Sequence, residues 1–361
     1  MTLTLKRSSL VAQVADAIRS EILANAWQEW IPSERDLSAT LHVSRNTCRN
    51  AMQILRRELL IEPVVGRGIR INRKAIRKLS AARPLHSVGL IIPEVMSRLR
   101  PQHALLIDEL RDELFDLGVR LELHNSPVYY HANPGHALEK LVEKNRHDCW
   151  LLLLSREPLQ RWFVDRGIPC IVSGSVYAGI PLPCVDQDYR ATCRHAAGKL
   201  IALGHRRLVF FNRRSRAAGD LESEAGFIEG VHSFSQGKAR ARTVYHNDTR
   251  ENVVQLVQQL YSASAPPTGL LVANSYCYLS VVSALARLGY RIPNDVSIIS
   301  RDDDSFLAYV DPEPTRYALN PGSLIRKFMF LLRPILEGGT VKLDPVRVLP
   351  RFVDGASCRA I

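Results

Sequence analysis

The sequence lacks the short motifs that mark most enzymes that bind nucleotides, hydrolyse esters or use zinc. It contains no Gly-x-Gly-x-x-Gly motif, no phosphate-binding loop, no Gly-x-Ser-x-Gly elbow and no His-Glu-x-x-His pair. Its seven cysteines form no Cys-x-x-Cys pair and no zinc spacing with histidine. We therefore predict no catalytic residues, no cofactor and no metal site. An odd number of cysteines without a disulfide framework is typical of a reducing cytoplasm.

Long hydrophobic runs are also absent. No segment approaches the roughly 18 consecutive apolar residues that span a bilayer. The N-terminal MTLTLKRSSL has neither an apolar core nor a cleavage site of small residues. Hydrophobic residues nevertheless make up 46% of the 361 residues, which is enough for the cores of two or three domains. We expect a soluble cytoplasmic protein that does not bind a membrane.

Acidic residues are scarce near the N-terminus. The formal net charge is +12, and residues 1–83 carry 15 Lys and Arg against 7 Asp and Glu. Most of the excess positive charge therefore lies in this first part of the chain. Such a concentration predicts a polyanionic partner such as nucleic acid, because phosphates attract clustered lysine and arginine.

The stretch from Ile31 to Ile71 has the pattern of two short helices followed by a hairpin. Ser33 can cap the first helix, with Asp36 three residues later as its reciprocal partner in a capping box. Ser44 can cap a second helix. The residues expected to point inward from this second helix are Val43, Thr47, Ala51, Ile54 and Leu55. Those left on its outer side are Arg45, Asn46, Arg49, Asn50 and Gln53. A helix that presents arginine and asparagine near its N-terminus suits the major groove of DNA.

Three further segments complete this predicted unit. Residues 59–71 indicate two short strands around Gly66-Arg67-Gly68, whose glycines permit a turn that pushes the arginine outward. Residues 8–25 form an amphipathic helix that packs behind the helical pair. The basic stretch that follows the hairpin reads as a linker. The predicted domains are a winged helix-turn-helix at 1–73, a basic linker at 74–84 and an effector-binding and dimerisation domain at 85–361.

The segments PSERDLS, VSRNTCRNAM and GRGIRI resemble, in register, the DNA-binding head of GntR-type regulators. The resemblance implies that Arg35 contacts phosphate and that Arg45, Thr47 and Arg49 contact bases or phosphates. It also implies that the tip of the wing enters the minor groove. The residues predicted to contact DNA are Ser33, Arg35, Ser44, Arg45, Asn46, Thr47, Arg49, Gly66, Arg67 and Gly68.

From residue 85 onward, short apolar runs alternate with helix-length amphipathic stretches. The runs lie at 88–92, 150–154, 170–172, 208–211, 270–272 and 296–299. The predicted helices lie near 103–117, 134–145, 158–166, 190–203, 220–235, 250–262 and 277–288. Apolar runs this short predict strands buried on both faces, as in a parallel sheet. The alternation predicts an α/β fold of two doubly wound lobes, with a ligand at the carboxyl ends of the strands.

Four segments in this region resemble the effector-binding domain of LacI/GalR-type regulators, which is itself similar to periplasmic sugar-binding proteins. They are VGLIIP, GIPCIVSG, VDQDYRATCRHAAGKLIALGHRRLVFF and ALARLGYRIPNDVSIISRDDDSFLAYVDPEPT. The last follows the family pattern IPxDVSVVGFDD. The resemblance implies a periplasmic-binding-protein-like fold that binds its ligand between two lobes. A GntR-type head joined to such a domain resembles the arabinose-type repressors.

Two residues differ from those that the family commonly has at its ligand-binding positions. Ser223 stands where the family commonly has arginine, and Ser275 where it commonly has aspartate. Asp302 matches the family's aspartate after a strand and is the preferred ligand contact. The residues predicted to bind the effector are Gly174, Arg213, Ser223, Asn274, Ser275, Tyr276 and Asp302. Either the ligand differs, or the pocket is degenerate, or nearby groups substitute. The groups that could substitute are Arg213, Arg214, Arg216, Glu222 and Tyr276.

The sequence thus predicts a transcriptional regulator, with repression as the sign that the resemblance implies. A small molecule, by resemblance a carbohydrate, would bind between the lobes and change the affinity for a double-stranded DNA operator. Family precedent and the geometry of the head predict a homodimer on a pseudo-palindromic operator. The alternatives are a solute-binding protein or an enzyme on the same two-lobed fold, which the basic N-terminal region and the missing catalytic motifs disfavour.

Overall fold

The computed structural model describes residues 10–23, 26–64, 67–73, 86–214 and 217–361. The chain divides into two units, Met1–Leu85 and His86–Ile361. The predicted linker at 74–84, Gly66 of the predicted wing tip and Arg216 lie outside the described residues.

Among its described residues, the first unit contains three helices and a two-stranded hairpin. They are α1 (Leu10–Leu23), α2 (Glu34–Thr40), α3 (Arg45–Arg57), β1 (Ile61–Val64) and β2 (Gly68–Ile71). The two strands are antiparallel, with Ile61 opposite Ile71. Trp30 forms a further bridge to Arg70 of β2, so the segment before α2 extends the hairpin. This is the winged helix-turn-helix that the sequence predicts.

Serine caps fix where the two central helices begin. The Ser33 hydroxyl accepts the N–H of Asp36 at 3.2 Å, and the Ser44 hydroxyl accepts the N–H of Thr47 at 3.1 Å. Each cap satisfies an amide that the helix leaves unbonded. Between the helices, His42 adopts a left-handed conformation with φ of 52°, which makes the connection a tight turn.

The core of this unit differs in part from the predicted one. From α3, the buried residues are Cys48, Ala51, Met52 and Leu55. They pack with Val14, Ala15, Ile18 and Ile22 of α1. Val43, Thr47 and Ile54, which the sequence places inward, are only half-buried. The side of α3 that meets α1 is centred one residue further along the helix than predicted, so Cys48 takes the place expected for Thr47.

The second unit contains eight helices and twelve strands among its described residues. The helices are α4 (Pro101–Asp116), α5 (Gly135–Lys144), α6 (Glu157–Asp165), α7 (Tyr189–Ala202), α8 (Ala218–Ser235), α9 (Arg250–Tyr261), α10 (Ser275–Arg287) and α11 (Pro321–Leu336). The strands are β3 (Ser87–Ile92), β4 (Arg120–Asn125), β5 (Cys149–Leu153), β6 (Cys170–Ser173), β7 (Cys184–Gln187), β8 (Arg207–Arg213), β9 (Arg240–His246), β10 (Gly269–Val272), β11 (Ser297–Ser300), β12 (Thr315–Ala318), β13 (Val346–Val348) and β14 (Arg351–Val353).

These strands form two six-stranded sheets, one in each lobe. Lobe 1 has the order β13-β7-β6-β5-β3-β4 and is parallel throughout, and lobe 2 has the order β14-β12-β11-β10-β8-β9. Only the pairing of β14 with β12 is antiparallel among the described strands of this unit. The chain passes from one lobe to the other after β7, after β12 and after β13, since α11 packs into the core of lobe 1. The prediction of two doubly wound lobes is confirmed.

Each central strand is apolar because both faces of its sheet are covered. Every residue of β5 and β10 is buried, as expected for strands with helices on both sides. The edge strands β4 and β9 are more polar and half-exposed, so their sequences carry no apolar run to predict them. None of the helices in the described part of the chain is long and apolar enough to span a bilayer.

Candidate DNA-binding surface and effector cleft

One face of α3 is polar and exposed, opposite the buried stripe. Its exposed residues are Arg45, Asn46, Arg49, Asn50 and Gln53. Residues spaced by three or four positions share a helix face. Within the described residues, neither Arg45 nor Arg35 of the neighbouring α2 has an ion-pair partner. The unit therefore presents free guanidinium groups around the N-terminal end of α3, where anions are favoured.

Arg49 differs from Arg45 because it is tied to α2. Its Nη2 lies 3.1 Å from Oε2 of Glu34, and its Nε donates to the same oxygen at 3.3 Å. The side chain of Arg49 is still 58% exposed. A pair this exposed contributes little to stability, about 0–1 kcal/mol. The guanidinium can therefore exchange Glu34 for a phosphate or a base edge at small cost.

The hydroxyl groups predicted to contact DNA already have partners inside the protein. Ser33 donates to the carboxylate of Asp36 at 2.7 Å, and the hydroxyls of Ser44 and Thr47 lie 2.8 Å apart. Thr47 is half-buried, unlike the arginines beside it. These hydroxyl groups hold the first turns of α2 and α3 in place beneath the exposed face.

The wing presents a further arginine. Arg67 is exposed, and its N–H donates to the carbonyl of Val64 at 3.1 Å across the turn. Gly68 follows with φ of 111°, a conformation that strains residues with a side chain. Arg70 is held instead by Glu62 of β1, at 2.9 Å from Nε to Oε1.

A cavity of about 1230 Å³ lies between the two lobes of the second unit. Lobe 1 contributes residues from 93–106 and 153–156, and lobe 2 contributes residues from 217–220, 246–253 and 274–280. Four of the predicted effector residues line it, namely Gly174, Arg213, Asn274 and Tyr276. The other three are buried away from it, at 0% exposure for Ser223 and Ser275 and 3% for Asp302. Asp302, the preferred contact, forms buried ion pairs with Arg100 and Arg301, and its contact with an effector stays a prediction.

The guanidinium that the sequence lacks at position 223 is supplied by Arg301, which stands where the family pattern has phenylalanine. Its Nη1 donates to the Ser223 hydroxyl at 2.8 Å and lies 3.3 Å from Oδ1 of Asp220. Its Cζ stacks 4.5 Å from the centre of the Tyr189 ring. The small Ser223 side chain leaves room for this arginine, which is only 5% exposed.

The carboxylate that the sequence lacks at position 275 is supplied by Asp304. The Ser275 hydroxyl donates to Oδ2 of Asp304 and accepts from Nη2 of Arg100 at 2.9 Å. Arg100 precedes α4 in lobe 1, whereas Ser275 and Asp304 belong to lobe 2. Its guanidinium also lies 2.8 Å from Asp302 and 2.6 Å from Asp304. We call these four residues, Arg100, Ser275, Asp302 and Asp304, the interlobe latch.

Strong electrostatic coupling accompanies this arrangement. Burial by itself raises the pKa of Asp302, but the guanidinium groups of Arg301 and Arg100 outweigh it and hold the pKa at about 2. Asp302 therefore stays charged at any physiological pH. Nearby in the cleft, burial and the charge of Arg100 lower the pKa of His103 to about 4, so this imidazole is neutral at pH 7.

The opposite shift occurs at the carboxyl end of β7. Burial raises the pKa of Asp186 to about 6, although the Ser175 hydroxyl donates to it at 2.6 Å and the N–H of Gln187 at 2.8 Å. Both Asp186 and Ser175 line the cavity. Asp188, two residues on, caps α7 through the N–H of Ala191 at 2.9 Å.

Two protein-family models match the chain, one within each of the two units. Residues 10–71 match the model of bacterial regulatory proteins of the gntR family. Residues 197–358 match the model of the periplasmic binding protein-like domain. The chain thus joins a GntR-type winged helix-turn-helix to a periplasmic-binding-protein-like domain, which is the architecture of a bacterial transcriptional regulator.

Proteins of similar sequence are HTH-type transcriptional regulators. The HTH-type transcriptional regulator RafR of Escherichia coli is 25% identical over 309 residues, which are 81% of this chain and 86% of RafR. The HTH-type transcriptional repressor PurR of Escherichia coli O1:K1 / APEC is 24% identical over 331 residues, 89% of this chain and 91% of PurR.

Solved structures confirm the fold. A complex of the transcriptional regulator CelR with cellobiose superposes with a TM-score of 0.66 at 19% identity, over 91% of this chain and 100% of that one. A LacI family transcriptional regulator from Enterococcus faecium with bound ribose gives a TM-score of 0.63 at 18% identity, over 76% of this chain and 99% of that one.

Proposed function

We propose that this protein is a transcriptional repressor whose affinity for its operator is controlled by a small molecule bound between the two lobes. The observation that carries the proposal is the exposed face of α3, which presents arginine and asparagine on a helix whose first turn is capped. The cavity in the second unit supplies a site for the controlling ligand. A homodimer on a pseudo-palindromic operator follows if each chain reads one half-site.

Two kinds of DNA contact are expected from the head. Arg45 and Asn46, near the start of α3, reach base edges in the major groove. Arg35 of α2 and Arg67 of the wing contact the phosphate backbone or the minor groove. The capping serines contribute indirectly, because they fix the helix ends from which these side chains project.

The interlobe latch suggests how the ligand controls the protein. Arg100 joins the lobes through carboxylates that are almost completely buried, with 3% exposure for the side chain of Asp302 and 0% for that of Asp304. This latch favours the lobe arrangement seen in the structure without help from a ligand. An effector changes the balance of states only if it binds one arrangement better than the other. A ligand that competes with Arg100 for Asp304 would favour separated lobes.

A carbohydrate is the proposed class of effector. The cavity combines neutral hydrogen-bonding groups, such as Asn274 and Ser280, with the aromatic ring of Tyr276. Tyr276 stacks on Phe306 with ring centres 5.0 Å apart, which gives a flat apolar surface of the kind on which sugar rings pack. The bound cellobiose and ribose of the two structures above support the same class. Arg301 and Asp304, the guanidinium and carboxylate near positions 223 and 275, are already bonded to other residues of this protein. We therefore expect a sugar different from the two above.

Selection of bound DNA tests the first half of the proposal. The full-length chain is incubated with a random duplex library, and the enriched sequences are footprinted. We expect two related half-sites whose centres lie about one helical turn apart or a multiple of it. Binding without any sequence enrichment would contradict the proposal of a specific regulator.

The operator obtained in this way then reports on the effector. Fluorescence anisotropy of labelled operator with the full-length chain is measured across a panel of mono- and disaccharides. We expect one member to weaken binding by about 5–150-fold, the usual range of allosteric coupling. The same sugar should raise the unfolding temperature through mass action. A sugar that raises the unfolding temperature without changing operator affinity would bind the protein but not control its binding to DNA, which would contradict the proposed role as effector.

A further inference from the structure

Three side chains with metal-binding atoms converge at the outer edge of the lobe 1 sheet. Glu122 and His124 are alternate residues of the edge strand β4 and so point to the same face. His147 lies just before β5. The Nε2 atoms of the two histidines are 2.9 Å apart, and Oε2 of Glu122 is 3.5 Å from Nε2 of His147. Among the described residues, this is the group of histidine, cysteine and acidic residues whose ligand atoms could share one ion.

The hydrogen bonds of His147 determine which of its nitrogens can bind a metal. The Ser87 hydroxyl donates to the carbonyl of Arg146 at 3.3 Å, so it acts as an acceptor toward Nδ1 of His147 at 3.1 Å. Nδ1 of His147 therefore carries the proton. Nε2 is left with its lone pair directed at His124 and Glu122. Metal-binding histidines are typically fixed in this way by a partner on their other nitrogen.

The three converging atoms have more lone pairs than protons. Oε1 of Glu122 is engaged by Arg120 at 2.7 Å, which leaves Oε2 facing the lone pair of His147 across 3.5 Å. His124 can supply one proton to this group through its own Nε2. With that proton on Nδ1 of His124 instead, the lone pairs of both imidazoles and of Oε2 of Glu122 converge, and a cation there would bind all three atoms.

The surroundings hold the two imidazole rings in place. The ring of His147 packs edge-on against Trp150 at 4.7 Å between centres, and that of His124 lies 5.2 Å from the same indole. Gly89 of the neighbouring strand leaves the space for His147, because a Cβ at this position would come within 2.4 Å of the imidazole. The side chain of His147 is only 1% exposed. The ligand atoms are therefore arranged before any ion arrives.

We propose that Glu122, His124 and His147 bind a divalent transition-metal ion of the zinc type. Two imidazoles and a carboxylate are ligands that suit Zn²⁺, with water completing four-coordination. Metal–ligand bonds of about 2.0–2.2 Å place tetrahedral ligand atoms about 3.3 Å apart, between the two separations observed. His124 would shift its proton from Nε2 to Nδ1 as the ion binds. The sequence predicts no metal site because this set has no zinc-like spacing.

None of the three ligands lines the interlobe cavity, so the site does not depend on the proposed effector. Its test uses the full-length chain without an affinity tag, freed of metal by a chelator. Titration with Co²⁺ should produce the visible d–d absorption of a tetrahedral site at one ion per chain. Added Zn²⁺ should remove this absorption by competition. Zn²⁺ should also raise the unfolding temperature through mass action.

Three variants of the ligands are compared with one matched control. Glu122→Gln, His124→Gln and His147→Gln should each weaken Zn²⁺ binding by about 100-fold or more, and the unfolding temperature of each should no longer respond to Zn²⁺. His136→Gln changes an exposed histidine of the same lobe and should leave Co²⁺ absorption unaltered. His124→Gln is the most informative if the buried His147→Gln variant does not fold.

Several results would overturn the proposal. One is a chain that shows no stoichiometric Co²⁺ absorption. Another is a folded His124→Gln variant that binds Zn²⁺ as tightly as the parent chain. A strong near-ultraviolet sulfur-to-cobalt band would assign the ion to a thiolate instead, with the half-buried Cys358 as the most accessible candidate.

Discussion

Arginine has opposite surroundings in the two units of this protein. In the first unit, Arg35, Arg45 and Arg67 are exposed, and within the described residues none of the three has an ion-pair partner. In the second unit, Arg301 is buried and Arg100 is half-buried, and both are paired with carboxylates of the same chain. Arginine therefore has two roles in this protein. Exposed guanidinium groups remain available to the phosphates and bases of a partner, whereas the paired ones stabilise the arrangement of the effector domain.

The largest test of this comparison is Arg301→Ala. Arg301 lies 2.9 Å from Asp302 and 3.3 Å from Asp220, so its removal leaves buried negative charge with fewer partners. We expect the free energy of unfolding of the second unit to fall by about 3–5 kcal/mol. Urea denaturation followed by tryptophan fluorescence measures it. Arg287→Ala, which removes an exposed arginine of α10, is the matched control. A loss of less than about 1 kcal/mol for Arg301→Ala would show that the pair is not important for stability.

Arg45→Ala tests the exposed side of the comparison. Removing a bidentate contact to a base should weaken binding to the selected operator by about 1–3 kcal/mol and leave the unfolding temperature unchanged. Anisotropy is measured with the operator and with a scrambled duplex of equal length. An equal loss on both duplexes would assign Arg45 to a phosphate rather than a base. Unchanged binding to both would remove α3 from the DNA interface.

Asp186→Asn tests whether a buried carboxylate that forms no arginine ion pair among the described residues lowers the free energy of unfolding. The pKa of Asp186 is about 6, above the unfolded value near 4, so the folded state holds more protons between these values. Its ionisation therefore lowers stability as pH rises through about 4 to 6. We expect Asp186→Asn to increase the free energy of unfolding by about 1–3 kcal/mol at pH 8 and to have no such effect at pH 4. A benefit of equal size at both pH values would contradict this origin.

Sequence patterns predicted the exposed arginines and missed the buried ones for a physical reason. The capping serines and the periodicity of α3 act within one helix, so local sequence determines that Arg45 lies on its outward side. The latch joins Arg100 to Asp304, two residues separated by most of the effector domain, and only the folding of both lobes brings them together. One local signal was present, since Arg301 is a charged residue immediately after an apolar strand. The loss of arginine at position 223 left open that a nearby group substitutes, but Arg301, the residue after β11, was not among the candidates named.

The strands of the two sheets also differ in how well the local sequence predicts them. Six of the twelve described strands were predicted because they contain an apolar run, as in β5 and β10. The edge strand β4 was not, because the polar residues Glu122 and His124 alternate with leucines and leave no apolar run. The proposed metal ligands were overlooked together with the strand that holds two of them.

Glu34→Gln is expected to have the smallest effect, and it probes an arginine that lies between the two classes. Arg49 is exposed but paired with Glu34, so breaking the pair should release its guanidinium for DNA. Because an exposed pair contributes about 0–1 kcal/mol, operator affinity should rise by no more than that. The loss of a negative charge near DNA could produce a similar gain by itself. The double variant Glu34→Gln/Arg49→Ala resolves this, since a gain that persists without Arg49 comes from the charge alone. If Glu34→Gln instead weakens binding to the operator but not to scrambled DNA, then Glu34 holds Arg49 in position to read a base.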